Sequence, residues 1–463
     1  MQNGLQRWES WGTAVLTFLV YFLTMPRDLT WQFSSGDGGE LITAAVTLGI
    51  PHPPGYPTYV LLGKLWSFLP LEPVAYSFHI FSALCAAGAA GLVTVTAKKQ
   101  LSTIESNSSG WLGIVPGLLF AFSSLVWQQA VVAEVYALNL LAVAAFLWAL
   151  LGKRPSHLTG LLLGLSFTTH LTSLFLLPLA LLLTPTKAWG QLAVGLAIGA
   201  SPYLLLPLLA DQGSPVIWGN PTTLTGWWWL VSGELYQPNQ FALPLTEFWA
   251  RLGSWLPRFG LQLGILGWGI LVWYGRSLRQ IKWLGLVGTA VLYLIYAIFY
   301  NTQDAIVLTL PAWLIFSLCL TVALPRTGKW SAILPGLAVL LHLSGQTGAN
   351  IHNVRAQAEA ILNAAPPDAI LVTAGDPDIF ALWYFHHVED NREDIILVDN
   401  MLFAFDWYRQ AVQRHHPTLR ALEEDNLTRF ETVNGLNRPI CRVRLLPEGE
   451  ADPQLDCSRA IIE

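Results

Sequence analysis

Long apolar runs separated by short polar ones set the frame of this chain. They fall near residues 11–25, 74–97, 111–127, 135–151, 158–170, 172–184, 190–209, 260–275, 283–300, 305–324 and 330–345. A helix needs roughly 20 residues to cross hydrocarbon, and several of these runs are shorter. The pattern predicts a polytopic α-helical membrane protein with eleven transmembrane helices. The run from His157 to Thr184 reads as one long tilted helix or as two short ones. We divide it at His170-Leu171-Thr172, because a histidine is less costly at a boundary than in mid-membrane.

The pattern changes near Asn350. Val354 to Ala364 is amphipathic and helical. Ala369 to Thr373 and Asp394 to Val398 are short apolar runs of buried-strand type. Ile379 to His387 and Phe403 to His415 fill the gaps as helices, and Ile440 to Leu445 reads as a third strand. The expected division is therefore a membrane domain over 1–349 and a small α/β domain over 350–463.

Charge orients the spans. One set of loops carries Arg7, Lys98, Lys99, Lys153, Arg154, Lys187, Arg276, Arg279, Lys282, Arg326 and Lys329; the other carries only Arg27, Lys64, Arg251 and Arg258. The positive-inside rule then predicts a cytoplasmic N-terminus in a multi-pass inner or plasma membrane. The loop over 26–73 and the tail fall on the extracytoplasmic side. Composition agrees with a lipid setting: 53% hydrophobic, 12% charged, 21 tryptophans and a mean hydropathy of +0.46. The net charge of −5 is spread without a basic run, which argues against a nucleic-acid partner. No small-residue cleavage site follows the first apolar run, so it reads as a retained helix. Cys85 and Cys319 sit in apolar runs, whereas Cys441 and Cys457 lie in the tail, as a disulfide or as two free thiols.

The densest chemistry lies in Ser34 to Pro70, SSGDGGELITAAVTLGIPHPPGYPTYVLLGKLWSFLP. Asp37 and Glu40 stand three apart, which has two readings. One is a capping box, with Glu40 reaching back to the backbone N–H of Asp37. The other is a desolvated general base at the membrane surface. The two are compatible. His52 is held between prolines, as part of a turn or as a donor to a phosphate. Lys64 is a snorkelling lysine or a partner of a lipid phosphate. Arg251 and Arg258 are interfacial anchors or phosphate clamps. Glu134 opens an apolar run as a helix-dipole partner or a site acid, and His170 is a core histidine or a ligand. Trp218 and Tyr236 bracket a Trp-rich loop whose rings stack on sugars or rest in headgroups. Asp304 ends another loop. The sequence has no metal-ligand spacing and no glycine-rich phosphate loop. No cofactor is implied, a divalent cation stays open, and a donor already in the membrane fits better than a nucleotide sugar.

SGDGGE followed by HPPGYP resembles the DUF2723 family, whose eukaryotic relatives include a transmembrane protein O-mannosyltransferase. The likeness continues through AVVAEVYALN, GLSFTTHLTSLFLLP, PYLLLPLLADQGSPVIWGNPTTLTGWWWLVSGELYQ, FYNTQD and AGDPDIFALWYFHHVEDNREDIILVDNMLFAFDWY. The resemblance implies a GT-C glycosyltransferase fold, a polyprenyl-phosphate-linked sugar donor and a protein or glycan acceptor at the lipid bilayer. It implies a catalytic acid in the first outer loop, Asp37 first and Glu40 second. His52, Tyr56, Lys64, Arg251 and Arg258 become candidates for the donor phosphate, and Glu134, Tyr136, His170, Trp218, Tyr236 and Asp304 for the substrates. The chain departs from the family pattern at Gly38, more often Ser, and at His79, more often Asn. The alternative function is a transporter or flippase for a lipid-linked saccharide. It calls for a charge path across the midplane and related halves, but the candidate acids gather on one side and no repeat is visible. A structural partner in a membrane complex is a third reading.

Overall fold

The computed structural model describes residues 2–105, 110–346, 353–445 and 453–458. The expected boundary at 349/350 and the Arg7 side chain lie outside what is described.

The chain is a polytopic helical membrane protein of GT-C fold with a small α/β region at its C-terminal end. Apolar side chains such as Leu23, Leu204, Ile265, Val272 and Leu340 stand on its outer surface, as lipid contact requires. Helix α1 (Gln2–Thr24) leads into the first loop, which folds into two short helices, α2 (Gly38–Thr47) and α3 (Pro57–Trp66). The chain returns through α4 (Val74–Ile104), a helix of 31 residues packed on α1.

Among the described residues, five helices are long and apolar enough to cross a membrane: Val74–Ile104, Thr186–Ala210, Leu245–Trp273, Ile281–Phe299 and Ala305–Val322. A sixth exists if a bent pair counts as one span. That pair, α5 (Ile114–Ala121) and α6 (Ser124–Ala130), occupies most of the run expected as one helix over 111–127, and the apolar stretch bends by 71° there. Helices α7 (Val135–Leu151) and α8 (Ser156–Thr169) are shorter. The break expected at His170 is present: α8 ends at Thr169, and His170 caps a 3-10 turn by accepting from the Thr172 N–H. The run expected from 260 begins at Leu245, because Glu247, Arg251 and Arg258 hide the first half of that helix from a hydropathy reading. Helix α8 meets the Trp189–Ala200 helix along Gly160, Gly164, Gly195 and Gly199. A Cβ at any of these would come within 1.9–2.3 Å of a backbone oxygen across the seam.

The tail holds a sheet in the order β2-β1-β3-β4, with β1 (Ile370–Thr373), β2 (Ile396–Asp399), β3 (Ile440–Arg444) and β4 (Gln454–Ser458). β1 runs parallel to both neighbours, and β4 is antiparallel to β3. Strands β1 and β2 are buried throughout, as parallel strands covered by helices are. Cys441 and Cys457 face each other across β3 and β4 and form a disulfide. The expected strands are present. The sequence reading missed β4 and the Leu427–Gly435 helix, whose apolar residues are too few to give a period.

The tail is fastened to the first loop. The Asp376–His387 helix lies so close to α2 that a Cβ on Gly39 would sit 2.2 Å from the Phe380 carbonyl oxygen. Arg355 donates to both oxygens of Glu389 at 2.6 Å, to Glu359 at 3.2 Å and to Asp28 of the first loop. The Tyr384 hydroxyl donates to Glu389 and accepts from the backbone N–H of Ala75.

Candidate active site

Two turns build the site. Asp37 stands at the N-terminus of α2 in helical conformation, and its side chain caps nothing. Leu48 ends α2 in the left-handed region, and the chain reverses through Pro51 to Gly55. The Ile50 N–H donates to Val216, and the Trp218 N–H donates to Ile50, which brings the 214–218 loop against the turn. Pro57 then opens α3 at a position where a missing N–H goes unnoticed.

The reversal lays His52 on Glu40. One oxygen of the fully buried Glu40 accepts the His52 backbone N–H at 3.0 Å; the other meets Nδ1 at 2.5 Å. The capping-box reading is therefore wrong. Glu40 turns to the imidazole and its backbone N–H, which together offer a buried carboxylate more than one helix-end N–H could. On the far side of the ring, Nε2 is 3.2 Å from the Tyr56 hydroxyl and 3.8 Å from an oxygen of Asp37. Asp37 keeps 38% of its side chain open.

These placements set the charges. Burial raises the Asp37 carboxyl to about 6, with Glu40 and Asp304 adding and His52 opposing. Burial also raises Glu40, again against His52. Burial would lower His52, but the carboxylates of Glu40 and Asp37 outweigh it and hold the imidazole up at about 9. At neutral pH His52 is thus an imidazolium between two acids.

Aromatic rings wall this centre. Tyr56, Tyr236 and Trp218 stand edge-on to His52, with centroids at 5.1, 6.1 and 6.2 Å. His170 lies against Tyr56 at 6.1 Å and Tyr136 at 5.4 Å. Glu134, buried at the start of α7, has one carboxyl oxygen without a partner, and the charges of Asp37 and Asp304 bear on it. Asp304 itself is exposed at the rim.

The expected cations are elsewhere. Lys64 donates to the Val46 carbonyl at 2.6 Å, about 13 Å along α2 from Asp37 at 1.5 Å per residue. Arg251 donates to the carbonyls of Ile298, Tyr300 and Thr302 and ties down the end of the Ile281–Phe299 helix. Arg258 is exposed on the Leu245–Trp273 helix. Each of the first two answers to helix-end carbonyls, which attract cations as a lipid phosphate does.

Sequence reasoning missed Asp376. It begins the helix that rests on α2, and burial together with the charge of Asp37 raises its carboxyl to about 6. Asp399 orders the loop around it, accepting from the N–H groups of Gly375, Met401 and Leu402 and from the Thr373 hydroxyl. An acid just past the carboxyl end of a parallel strand is a recognisable signal, since ligands gather there. The strand was legible in AILVT, and the acid follows it in AGDPD. Among the described residues, no three His, Cys, Asp or Glu side chains are placed to hold a metal ion.

Residues 37–193 match the family described as Protein O-mannosyl-transferase TMEM260 N-terminal domain, and residues 354–431 match TMEM260-associated domain 2. Protein O-mannosyl-transferase TMEM260 of Mus musculus is 28% identical over 86% of this chain and 63% of its own length. Its counterpart in Dictyostelium discoideum is 22% identical over 84% of this chain and 57% of its own. The chain thus spans about three-fifths of the length of these curated relatives. In three dimensions it is similar to ArnT from Cupriavidus metallidurans bound to undecaprenyl phosphate, with a TM-score of 0.56 and 15% identity over 93% of this chain and 91% of that one. The apo state of the same protein gives 0.51 over the same shares. The chain has the GT-C membrane fold and is related, in its first loop as in its tail, to the TMEM260 protein O-mannosyltransferases.

Proposed function

We propose that this protein moves a sugar, mannose or another hexose, from a polyprenyl-phosphate donor to a hydroxyl acceptor, with inversion at the anomeric carbon. Asp37 takes the acceptor proton, the acceptor oxygen bonds to the anomeric carbon, and the bond from that carbon to the phosphate oxygen breaks. Charge grows on the departing polyprenyl phosphate, where the imidazolium of His52 stabilises it, with the Tyr56 hydroxyl beside it. The TMEM260 relatives support the sugar, and the undecaprenyl phosphate named for ArnT supports the donor. On its loop motifs we assign the chain to DUF2723.

The observation that carries the reading is the contrast between the two acids. Glu40 is fully buried with both oxygens engaged by His52, so no acceptor can reach it. Asp37 is open and has only a 3.8 Å ionic contact. A general base must be in reach of the proton that it removes. Glu40 serves as the positioning residue that keeps His52 charged. Glu134, Tyr136, His170, Trp218, Tyr236 and Asp304 line the substrate recess, whereas Lys64 and Arg251 hold the scaffold and Arg258 stays on the outer surface. The site faces the extracytoplasmic side, and the tail is a separate folding unit on that side. The Cys441–Cys457 disulfide, suited to an oxidising compartment, supports that sidedness.

The test is Asp37→Asn in nanodiscs, with radiolabelled polyprenyl-phosphate sugars and membrane extract as acceptor. Transfer falls by about 10²- to 10⁴-fold while donor binding is retained. Transfer within a few-fold of wild type by a folded variant rules Asp37 out as the base.

A further inference from the structure

A cavity of about 350 Å³ opens at the other end of the helices, away from the candidate site. Lys98 and Lys99, near the end of α4, line it together with Trp148, Gly152 and Arg154, from the end of α7 and the turn into α8. Val74 starts α4 beside the first loop, so Lys99 stands roughly 37 Å along the helix from that loop at 1.5 Å per residue. The transferase chemistry proposed above uses none of these residues.

Cations at a helix end often answer to its unpaired carbonyls, as Lys64 and Arg251 do. Here those carbonyls already have partners. The N–H groups of Gly152, Arg154 and Lys153 donate to Trp148, Ala149 and Leu150, and the Gln100 amide donates to Leu151. On α4, the Ser102 and Thr103 hydroxyls and the Glu105 N–H donate to Lys99, Gln100 and Leu101. Lys98 is paired with Glu9 of α1, and Glu105 is not part of the cavity wall. The exposed side chains of Lys99 and Arg154 therefore have neither a carboxylate nor a carbonyl partner among the described residues. Arg154 is nonetheless held in place. Its guanidinium lies over the Trp148 ring, 4.6 Å from the centroid. The turn that returns it there is tight: Lys153 is left-handed, and a Cβ on Gly152 would sit 2.5 Å from the Trp148 carbonyl oxygen.

Orientation in the membrane asks for cations in loops, not for a concave site with an aromatic wall. The level of the cavity says which anion suits it. Trp8 and Trp11 are exposed on α1, flanking Glu9 in sequence, and Trp111 is exposed in the turn whose Gly113 packs on Lys98. With Trp148, these indoles mark the headgroup level of the bilayer, where lipid phosphates lie. We propose that this cavity binds the phosphate headgroup of an anionic phospholipid in the leaflet at that end. Arg154 offers the phosphate a planar fork, and Lys99 offers a point charge. The site needs only the membrane fold and is independent of the reaction at the far end.

The test is native mass spectrometry of the protein in detergent. It is titrated with phosphatidylglycerol, with phosphatidylcholine of the same acyl chains, and with sodium pyrophosphate as an anion without chains. The tightest site prefers phosphatidylglycerol to phosphatidylcholine by about 10-fold or more, and equimolar pyrophosphate does not displace the lipid. Lys99→Gln and Arg154→Gln each weaken phosphatidylglycerol about 5-fold, and the double variant about 25-fold, as expected for cations at a membrane surface. Lys187→Gln removes an exposed cation outside the cavity and changes affinity by less than about 2-fold. A thermal melt confirms that the variants fold. Equal affinity for the two lipids, or a loss in Lys187→Gln as large as in the cavity variants, overturns the proposal. Displacement of the lipid by equimolar pyrophosphate also overturns it, because the cavity would then be a site for a soluble anion.

Discussion

Glu40→Gln separates holding a shape from holding a charge. Glutamine fills the same space, and its oxygen still accepts the His52 backbone N–H. What goes is the carboxylate that faces Nδ1 at 2.5 Å. Burial works against the imidazolium, yet His52 stands at about 9 in place of 6.5. That rise corresponds to about 3 kcal/mol of preference for the charged ring. A raised folded-state value means that the folded protein holds this proton more tightly than the unfolded chain. The stabilisation is therefore fully present below pH 6.5 and is lost as pH rises through about 9. With glutamine at position 40 the main opposition to burial is gone, the ring is neutral, and most of that dependence disappears. The assay is scanning fluorimetry in detergent from pH 6 to 9.5 at one fixed scan rate, comparing the two proteins. At about 1–2 °C per kcal/mol for a chain of this size, wild type loses about 3–6 °C more than the variant across the window. Other groups that titrate there are common to both and cancel in the difference. Parallel curves would refute the claim that Glu40 holds an imidazolium.

Three further outcomes are expected. With Asp37 raised to about 6, donor turnover rises with pH through that value, since a base must first lose its own proton; a rate flat from pH 5 to 8 contradicts the assignment. Gly39→Ala places a Cβ 2.2 Å from the Phe380 oxygen. It lowers stability by about 1–3 kcal/mol and weakens tail docking, read as a lower melting temperature and faster tryptic release of the tail; an unchanged melt shows that α2 and the tail helix can part freely. Arg355→Ala strands Asp28, Glu359 and Glu389. It costs about 1–3 kcal/mol, and Arg355→Lys restores only part, because one ammonium cannot reproduce the paired bonds to Glu389. Equal melts for the lysine variant and wild type count against the fork geometry.

The fold was largely legible because hydrocarbon leaves a strong signature: long apolar runs, a histidine at a break, and short buried strands in a polar tail. The signal failed where it was local. Only Ser123 and Ser124 mark the 71° bend after Ala121, and a helix starting at Leu245 with three charged residues in its first half does not read as apolar. At the site, residue types were legible and partners were not. Glu40 and His52 are twelve apart, and only the reversal from Leu48 to Pro51 lays one on the other. Cations were the hardest to place. Lys64 and Arg251 carry the charge that a phosphate needs, but carbonyls at helix ends make the same demand, and composition cannot tell which one a cation answers.

That misplacement changes the chemical argument. With Lys64 bonded to the far end of α2 and Arg251 committed to three carbonyls, the cation beside Asp37 among the described residues is the imidazolium of His52, which on the proposed reading receives the leaving phosphate. A histidine suits that task only if something keeps it charged inside a buried recess, and the Glu40 carboxylate does so. On the proposed reading the two acids divide the work by exposure: the open one takes the proton, while the sealed one fixes the charge of its neighbour. The tail adds Asp376 beside this recess and packs its helix against Gly39, so the recess is complete when loop and tail are joined. Loss of tail docking then costs activity before it costs the membrane fold. In Gly39→Ala, transfer falls at temperatures where the transmembrane helices still melt as one.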